Sequence, residues 1–431
     1  MRVLHITAHL GGGVGRILSR LCEAAHRDQD GITHTIACLE PPQKAASVEY
    51  ARRFGAHVVC APDADTLDTL VREADIVQLE WWHHPVTARW MGEAATRPMR
   101  LIVWSHVSGL NAPTLPAAFL ALPHRFLFTS TCSLAVPQLA QLAPEARERI
   151  DVVFSAAGFD DLPPPPARGD DTPLSIAYVG TLNPAKRHPD LLDFIAAVRE
   201  PGFRLDLYGD PVNGPALQAA AAARGLSERI AIRGYHHDVI SLLAHTDLFA
   251  YPLNPKHYGT AENALLEAMA MGVVPVVLDN PAERALVDPG RTGWIVRDAE
   301  EFGEAISQLC RDGALRRCLG AEAARTVRTR FSLSAMATAL RHHYLAVMDE
   351  AKRPMDFRAV FGPAPADWFR ACQGEETWRF ADATPDHVPA VDEAPPPHLL
   401  ERTKGSVFHY RDTFPDDARL AGWAEALEAC A

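Results

Sequence analysis

No stretch of this 431-residue chain approaches the length of a membrane span, and no basic excess offsets its acids. A net charge of −12 leaves no basic field to gather phosphates along a duplex, which argues against nucleic acid as a general partner. Any anionic ligand must be held by a few local cations or by backbone amides. Cysteine pairs at metal-ligand spacing are missing too. Cys22, Cys38, Cys60, Cys132, Cys310, Cys318, Cys372 and Cys430 are scattered with no C-x-x-C, the pattern of reduced structural thiols in a cytosolic protein. A strand beginning at Met1-Arg2-Val3 leaves no room for a signal peptide, so the expected location is cytoplasmic, with peripheral membrane contact left open. There is no short repeat, no G-x-S-x-G and no Cys/His arrangement of a hydrolase. What remains is an ordinary globular composition, 48% hydrophobic and 22% charged, at a length that suits two or three domains.

Residues 1–161 alternate strand-like and helix-like segments. M-R-V-L-H-I-T-A, H-T-I-A-C-L, H-V-V-C-A, D-I-V-Q-L, R-L-I-V-W-S, R-F-L-F-T-S and I-D-V-V-F read as strands, and Arg16 to His26 as a helix after the turn G-G-G-V-G. Continuous apolar strands separated by helices predict a parallel sheet covered on both faces. Residues 162–173, L-P-P-P-P-A-R-G-D-D-T-P, have the composition of a linker. The alternation resumes in 174–353 with S-I-A-Y-V-G, F-R-L-D-L-Y-G, R-I-A-I-R-G-Y, D-L-F-A-Y-P and V-V-P-V-V-L, closed by an amphipathic helix from Ser332 to Ala351. The expected fold is α/β, two tandem Rossmann-like domains with an interdomain cleft facing the strand carboxyl ends. Residues 354–431, with Trp368, Trp378 and Trp423 around a Pro/Asp-rich run from about Asp382 to Pro397, are expected to form an ordered C-terminal appendage with a flexible middle, packing on the core or on a partner.

The most informative segment runs from Tyr258 to Leu278, Y-G-T-A-E-N-A-L-L-E-A-M-A-M-G-V-V-P-V-V-L. Gly272 is the expected helix stop, since glycine enters the left-handed region freely. Glu267 is an acid amid small and apolar residues, and a carboxylate there loses hydration unless something pairs with it. Glu262 reads equally well as an acid placed to suit the helix dipole. On a continuous helix, Glu262 shares a face with Leu265, Leu266 and Met269, and Glu267 with Thr260, Asn263 and Met271. Five residues turn the helix by roughly 140°, so the two acids aim at different points.

The G-G-G-V-G-R turn admits two readings. Its amides can face an anion at a helix start. As a dinucleotide fingerprint it offers Gly13-x-Gly15 but has Leu18 where a third glycine belongs, with Glu40 as the ribose acid. An ordinary structural turn fits as well. Asp63-Ala64-Asp65 imitates a metal-binding D-x-D, and His236-His237 and His342-His343 are adjacent pairs whose side chains point apart.

V-G-T-L-N-P-A-K-R (Val179 to Arg187, with Gly180 and Lys186 as the matching positions), the run from Glu267 through Val276, V-V-F-S-A-A-G-F-D ending at Asp160, R-G-Y-H-H-D and D-L-F-A-Y-P together resemble the nucleotide-sugar glycosyltransferases of the two-Rossmann GT-B architecture, of the retaining family-4 type. The resemblance covers residues 1 to 350, strongly in the second domain and diffusely in the first. It implies that Glu267 accepts both ribose hydroxyls, as an ionised carboxylate can do bidentately. It implies that Lys186, with Arg187, neutralises the departing diphosphate. Gly180, Gly12, Gly13 and the helix opening at Asn263 and Ala264 would meet the donor, and a loop at Gly234 and Tyr235 would hold the base. His106 in W-S-H-V-S-G matches a histidine facing the donor sugar, although an ordinary imidazole fits the same position.

Two positions depart from that pattern. Gly259 stands where the family carries a second glutamate, and Glu262 stands in place of a glycine, so Thr260, Asn263 or Glu262 would have to replace the sugar contact. Thr181 replaces a phosphate-binding arginine, with Arg187 as candidate substitute. Glu80, Trp81 and His83, after another strand, are candidates for the acceptor side, because Trp rings stack on sugar faces. The resemblance implies a nucleoside-diphosphate sugar as donor substrate and neither cofactor nor metal. The acceptor, a sugar, a lipid-linked glycan or a protein, stays open. An NAD-dependent oxidoreductase built on the glycine turn, and a non-catalytic nucleotide-binding protein of the same fold, are the alternatives.

Overall fold

Short β-branched and apolar runs build two all-parallel sheets in the computed structural model, which describes residues 1–29, 31–42, 45–94, 97–168, 174–381 and 395–430. The chain divides into one unit of Met1–Ala157, Tyr258–Thr260 and Leu333–Ala431 and another of Gly158–His257 and Ala261–Ser332.

In the first unit, β1 (Arg2–Thr7), β2 (Thr33–Cys38), β3 (His57–Cys60), β4 (Ile76–Trp81), β5 (Leu101–Ser105), β6 (Arg125–Phe128) and β7 (Ile150–Val152) form a sheet in the order β3-β2-β1-β4-β5-β6-β7. Strand order reverses between β1 and β4, which pair from Val3↔Ile76 to Ile6↔Leu79. Such a switch point opens a crevice at the strand carboxyl ends, where ligands of doubly wound sheets bind. The helix Gly12–Asp28 follows β1 and buries Ile17, Leu18, Leu21, Cys22, Ala24 and Ala25 on one side. The G-G-G-V-G run is thus the first turn of that helix rather than a separate loop, and no side chain caps it. Gly15 is required there, because a Cβ would fall 2.2 Å from Leu10 O. Asp63 of the D-x-D imitation caps the helix Ala64–Glu73 through Thr66 N–H at 2.8 Å.

In the second unit, β8 (Ile176–Val179), β9 (Leu205–Tyr208), β10 (Ile230–Gly234), β11 (Leu248–Tyr251), β12 (Val274–Leu278) and β13 (Trp294–Val296) run in the order β10-β9-β8-β11-β12-β13, with the switch point between β8 and β11. β13 was not anticipated; at three residues it carries too little alternation to stand out. Helix Asn263–Ala270 ends at Met271, and Gly272 has the left-handed φ of 73° expected of a helix stop. The helix starts at Asn263, so Thr260 lies outside it and does not share its face with Glu267.

The helix expected to close the second unit departs most from expectation. Helix Leu333–Met348 packs in the first unit, not the second: Leu333, Met336, Leu340, Tyr344 and Val347 share a core with Leu18, Leu21 and Trp104. The described residues beyond 354 pack into the core of the first unit. Phe357, Phe361, Trp368, Phe369, Phe408, Tyr410 and Trp423 join one hydrophobic core with Leu79, Trp90, Leu101 and Phe119. Each such aromatic contributes roughly 1.5–3 kcal/mol by leaving water, which outweighs the absence of a regular pattern along the segment. Residues 169–173 of the expected linker and 382–394 of the expected flexible middle lie outside the described residues.

Candidate functional site

The second unit gathers its polar groups at the carboxyl ends of β8 and β11. The loop after β8 is stitched to the chain after β11: Asn254 N–H donates to Lys186 O at 2.9 Å, His188 N–H to Pro252 O at 2.9 Å, and the Asn254 amide to Pro184 O at 2.7 Å. Gly209 lets the ends of β8 and β9 close together, since a Cβ there would lie 1.8 Å from Gly180 O.

This frame holds the Lys186 ammonium 2.5 Å from Glu262 Oε1. The other Glu262 oxygen accepts from the Tyr251 hydroxyl at 3.0 Å. His257 Nδ1 stands 3.8 Å from Glu262, and its Nε2 donates to Glu283 at 3.2 Å. Burial alone would raise the Glu262 carboxyl; Lys186 and His257 outweigh it and hold the group below its ordinary range. Burial, then Glu262 itself, pushes the Tyr251 hydroxyl well up, so it stays a donor. His257, Glu262 and Glu283 could each offer one ligand atom to a cation, but all three are engaged with one another or with Lys186 and Tyr251.

Of the residues expected around a donor, Lys186, Glu262, Asn263 and Ala264 are brought together at the opening of helix Asn263–Ala270, where Glu262 takes the N-cap position without a side-chain capping bond. Asn263 Oδ1 is buried without a hydrogen-bond partner among the described residues. Glu267 is buried on the second turn of that helix. Gly180 follows β8, and Gly234, with φ 71°, ends β10, presenting the exposed Tyr235 ring beside His237. Arg187 is not the spare phosphate cation the sequence suggested. Its guanidinium is committed to the carbonyls of Leu182, His188 and Pro189, which a planar fork of donors satisfies well. Tyr251, His257 and Glu283 were missed. Tyr251 ends a recognisable strand, but nothing near Glu283 in sequence marks it.

In the first unit, Gly12 opens the helix after β1 with φ 59° and Gly13 follows exposed, with no side-chain cap on the helix start among the described residues. The segment Tyr258–Thr260 also counts with this unit. Gly259 is buried, and the Thr260 hydroxyl accepts from Thr129 at 2.8 Å. His106 Nε2 bonds Glu80 Oε2 at 2.7 Å. Glu80 Oε1 also accepts from Gln78 at 2.7 Å and from His5 Nδ1 at 3.0 Å, while Tyr344 donates to Gln78 at 2.6 Å. Burial would raise Glu80; its bonds from His106 and His5 prevail and lower it.

Glu80 therefore does not face an acceptor: it is an interior carboxylate that orients His106. Trp81 is likewise a core residue, its ring 5.5 Å from Phe119, and His83 packs against Phe369 and Tyr410. β4 is buried along its whole length, as in a parallel sheet covered on both faces, so neither pleat direction leads its side chains to solvent.

Residues 173–312 match the family described as glycosyl transferases group 1. The lipopolysaccharide core biosynthesis glycosyltransferase LpsE of Rhizobium meliloti is 30% identical over 172 residues, 39% of this chain and 50% of that protein. The chain spans about half the length of the curated relatives it matches. Among solved structures, a glycosyltransferase from Rickettsia africae aligns with a TM-score of 0.63 at 16% identity, over 81% of this chain and 99% of that one. Anabaena Alr3699/HepE, in complex with UDP-glucose, aligns with a TM-score of 0.63 at 15% identity, over 80% of this chain and 100% of that one. The fold is that of the GT-B glycosyltransferases, with two parallel-sheet Rossmann-like domains.

Proposed function

We propose that this chain moves a sugar from a nucleoside-diphosphate sugar to an acceptor hydroxyl with retention of configuration. The family match over residues 173–312 supports the reaction class, and the observation that carries the assignment is the Lys186–Glu262 pair at the uncapped opening of helix Asn263–Ala270. A cation beside a helix start without a side-chain cap suits a diphosphate, whose charge grows as it departs. Glu262 and Tyr251 hold the ammonium in place before the donor arrives. Glu267 on the next turn takes the ribose hydroxyls, and Tyr235 offers an exposed ring to the base.

In the reaction the bond between the anomeric carbon and the diphosphate oxygen breaks, and a bond to the acceptor oxygen forms on the same face. The acceptor proton passes to the departing diphosphate, so no protein nucleophile is needed. His106, oriented by Glu80, serves the sugar. Arg187 takes no part beyond shaping the loop.

The UDP-glucose complex of a protein with the same fold makes UDP the first nucleotide to test. The experiment is thermal shift of the full chain against UDP, GDP, ADP and NAD, followed by hydrolysis and transfer with the sugar form of whichever nucleotide stabilises it. Stabilisation by a nucleoside diphosphate with turnover of its sugar is expected. Stabilisation by NAD alone would overturn the assignment in favour of a dehydrogenase, and nucleotide binding without turnover of any donor would favour a non-catalytic role.

A further inference from the structure

At the switch point of the first sheet, four basic side chains meet beyond the ends of β1 and β4: His9, His84, Lys404 and His409. Backbone amides fix the imidazole tautomers. Gly11 N–H donates to His9 Nδ1 at 2.9 Å, Val86 N–H to His84 Nδ1 at 3.4 Å, and Gly405 N–H to His409 Nδ1 at 3.0 Å. A ring nitrogen that accepts an N–H carries no proton, so each neutral ring keeps its proton on Nε2. Burial agrees with neutrality, pushing His9 down to about 4 and His84 down to about 2, with Lys404 and His409 adding to both.

The result is a cluster of donors without an acceptor. His84 is 1% exposed, and its Nε2–H has no partner among the described residues. Lys404 Nζ lies directly against His9 Nε2, donor against donor, and over the Trp82 ring at 5.6 Å. The nearest carboxylate oxygen, Glu40 Oε1, stands 3.7 Å from both His9 Nε2 and His84 Nε2, beyond hydrogen-bond length. His9, Glu40 and His84 also satisfy the spacing of a metal site. A cation, however, needs the Nε2 lone pairs, and freeing them would put protons on Nδ1 atoms that already face backbone N–H groups.

We propose that these residues form an oxyanion site, in which a carboxylate or phosphate oxygen of a small ligand lies between His9 Nε2–H, His84 Nε2–H and the Lys404 ammonium, against the face of Trp82. Such an oxygen satisfies all three donors at once. Glu40, whose side chain is 27% exposed, is the internal competitor that turns outward when the ligand enters. The site does not depend on the transferase reading, and its test reads binding rather than turnover.

Calorimetry on the full chain with inorganic phosphate, glucuronate, neutral glucose and, separately, zinc chloride tests it, in wild type, Glu40→Gln, Lys404→Met and Lys186→Ala. Phosphate or glucuronate should bind and glucose should not, and the better of the two anions identifies the ligand chemistry. Glu40→Gln should tighten that anion severalfold, and Lys404→Met should weaken it about tenfold, the effect of one charge-assisted bond. Absence of binding in both wild type and Glu40→Gln would overturn the proposal. So would anion affinity that survives Lys404→Met but is lost in Lys186→Ala, which would place it in the second unit. Zinc binding abolished by Glu40→Gln would make the cluster a metal site instead.

Discussion

His106 Nε2 and Glu80 Oε2 lie 2.7 Å apart, and the same buried carboxylate accepts bonds from His5 and Gln78. Glu80→Ala would leave three donors unsatisfied in the interior. The expected loss is about 2–5 kcal/mol of stability by urea unfolding. Glu80→Gln should keep the fold yet lower kcat more than KM in a transfer assay, because His106 loses its orienting anion. Equal effects on both constants would show that Glu80 serves the fold alone.

Acid sensitivity should begin above the carboxylate range. His9, His83 and His84 are depressed by burial to about 4, 3 and 2, against an ordinary 6.5. Their folded-state pKa values lie below the unfolded one, so the unfolded chain binds more protons as pH falls. The stability they contribute is complete above pH 6.5 and is lost progressively below it. Glu80 and Glu262, also lowered, add a second loss below their ordinary 4.5. Tm measured from pH 8 to 4 should therefore decline before any carboxylate titrates, and His84→Gln should flatten the upper part of that decline. A flat profile down to pH 5 would contradict the neutral buried histidines.

Lys186→Met should be more damaging than its double with Glu262→Gln. The single change leaves a buried carboxylate without its cation and should cost about 3–5 kcal/mol, while the double removes both charges. Denaturant midpoints of the two variants read the difference. Glu267→Ala should weaken nucleoside diphosphate binding at least tenfold with the far-ultraviolet spectrum unchanged, and unaltered affinity would remove the ribose assignment.

The C-terminal segment should behave as part of the first unit's core. Trp368 stacks on Phe361 at 4.8 Å and donates to Gly362 O at 2.9 Å. Trp368→Ala should destabilise by about 3–5 kcal/mol, and a chain truncated after residue 353 should bind hydrophobic dye. A truncation that melts like the full chain would show the packing to be dispensable.

Most strands were readable because a continuous apolar run bounded by glycine or proline has few other stable fates. β13 escaped because three residues carry no period. The helix opening at Asn263 and its stop at Gly272 were readable, while Thr260 was set on the Glu267 face because glycine, threonine and alanine before Asn263 do not forbid helix. Lys186 and Glu262 were both singled out, but not as a pair. The acceptor-side reading of Trp81 failed because tryptophan at a strand end looks the same whether it faces a sugar or a core.

The sequence alone determined the local order: alternating strand and helix, hence two parallel sheets, with polar loops at their carboxyl ends. Those features rest on periodicity over a few residues. Only the tertiary structure decided which polar groups meet. Lys186 finds Glu262 across 76 residues, Tyr344 finds Gln78 across 266, and Lys404 reaches His9 across 395. It also decided that the last hundred residues complete the first unit. Contacts at such separations depend on how packed elements close on one another, and no local pattern encodes that.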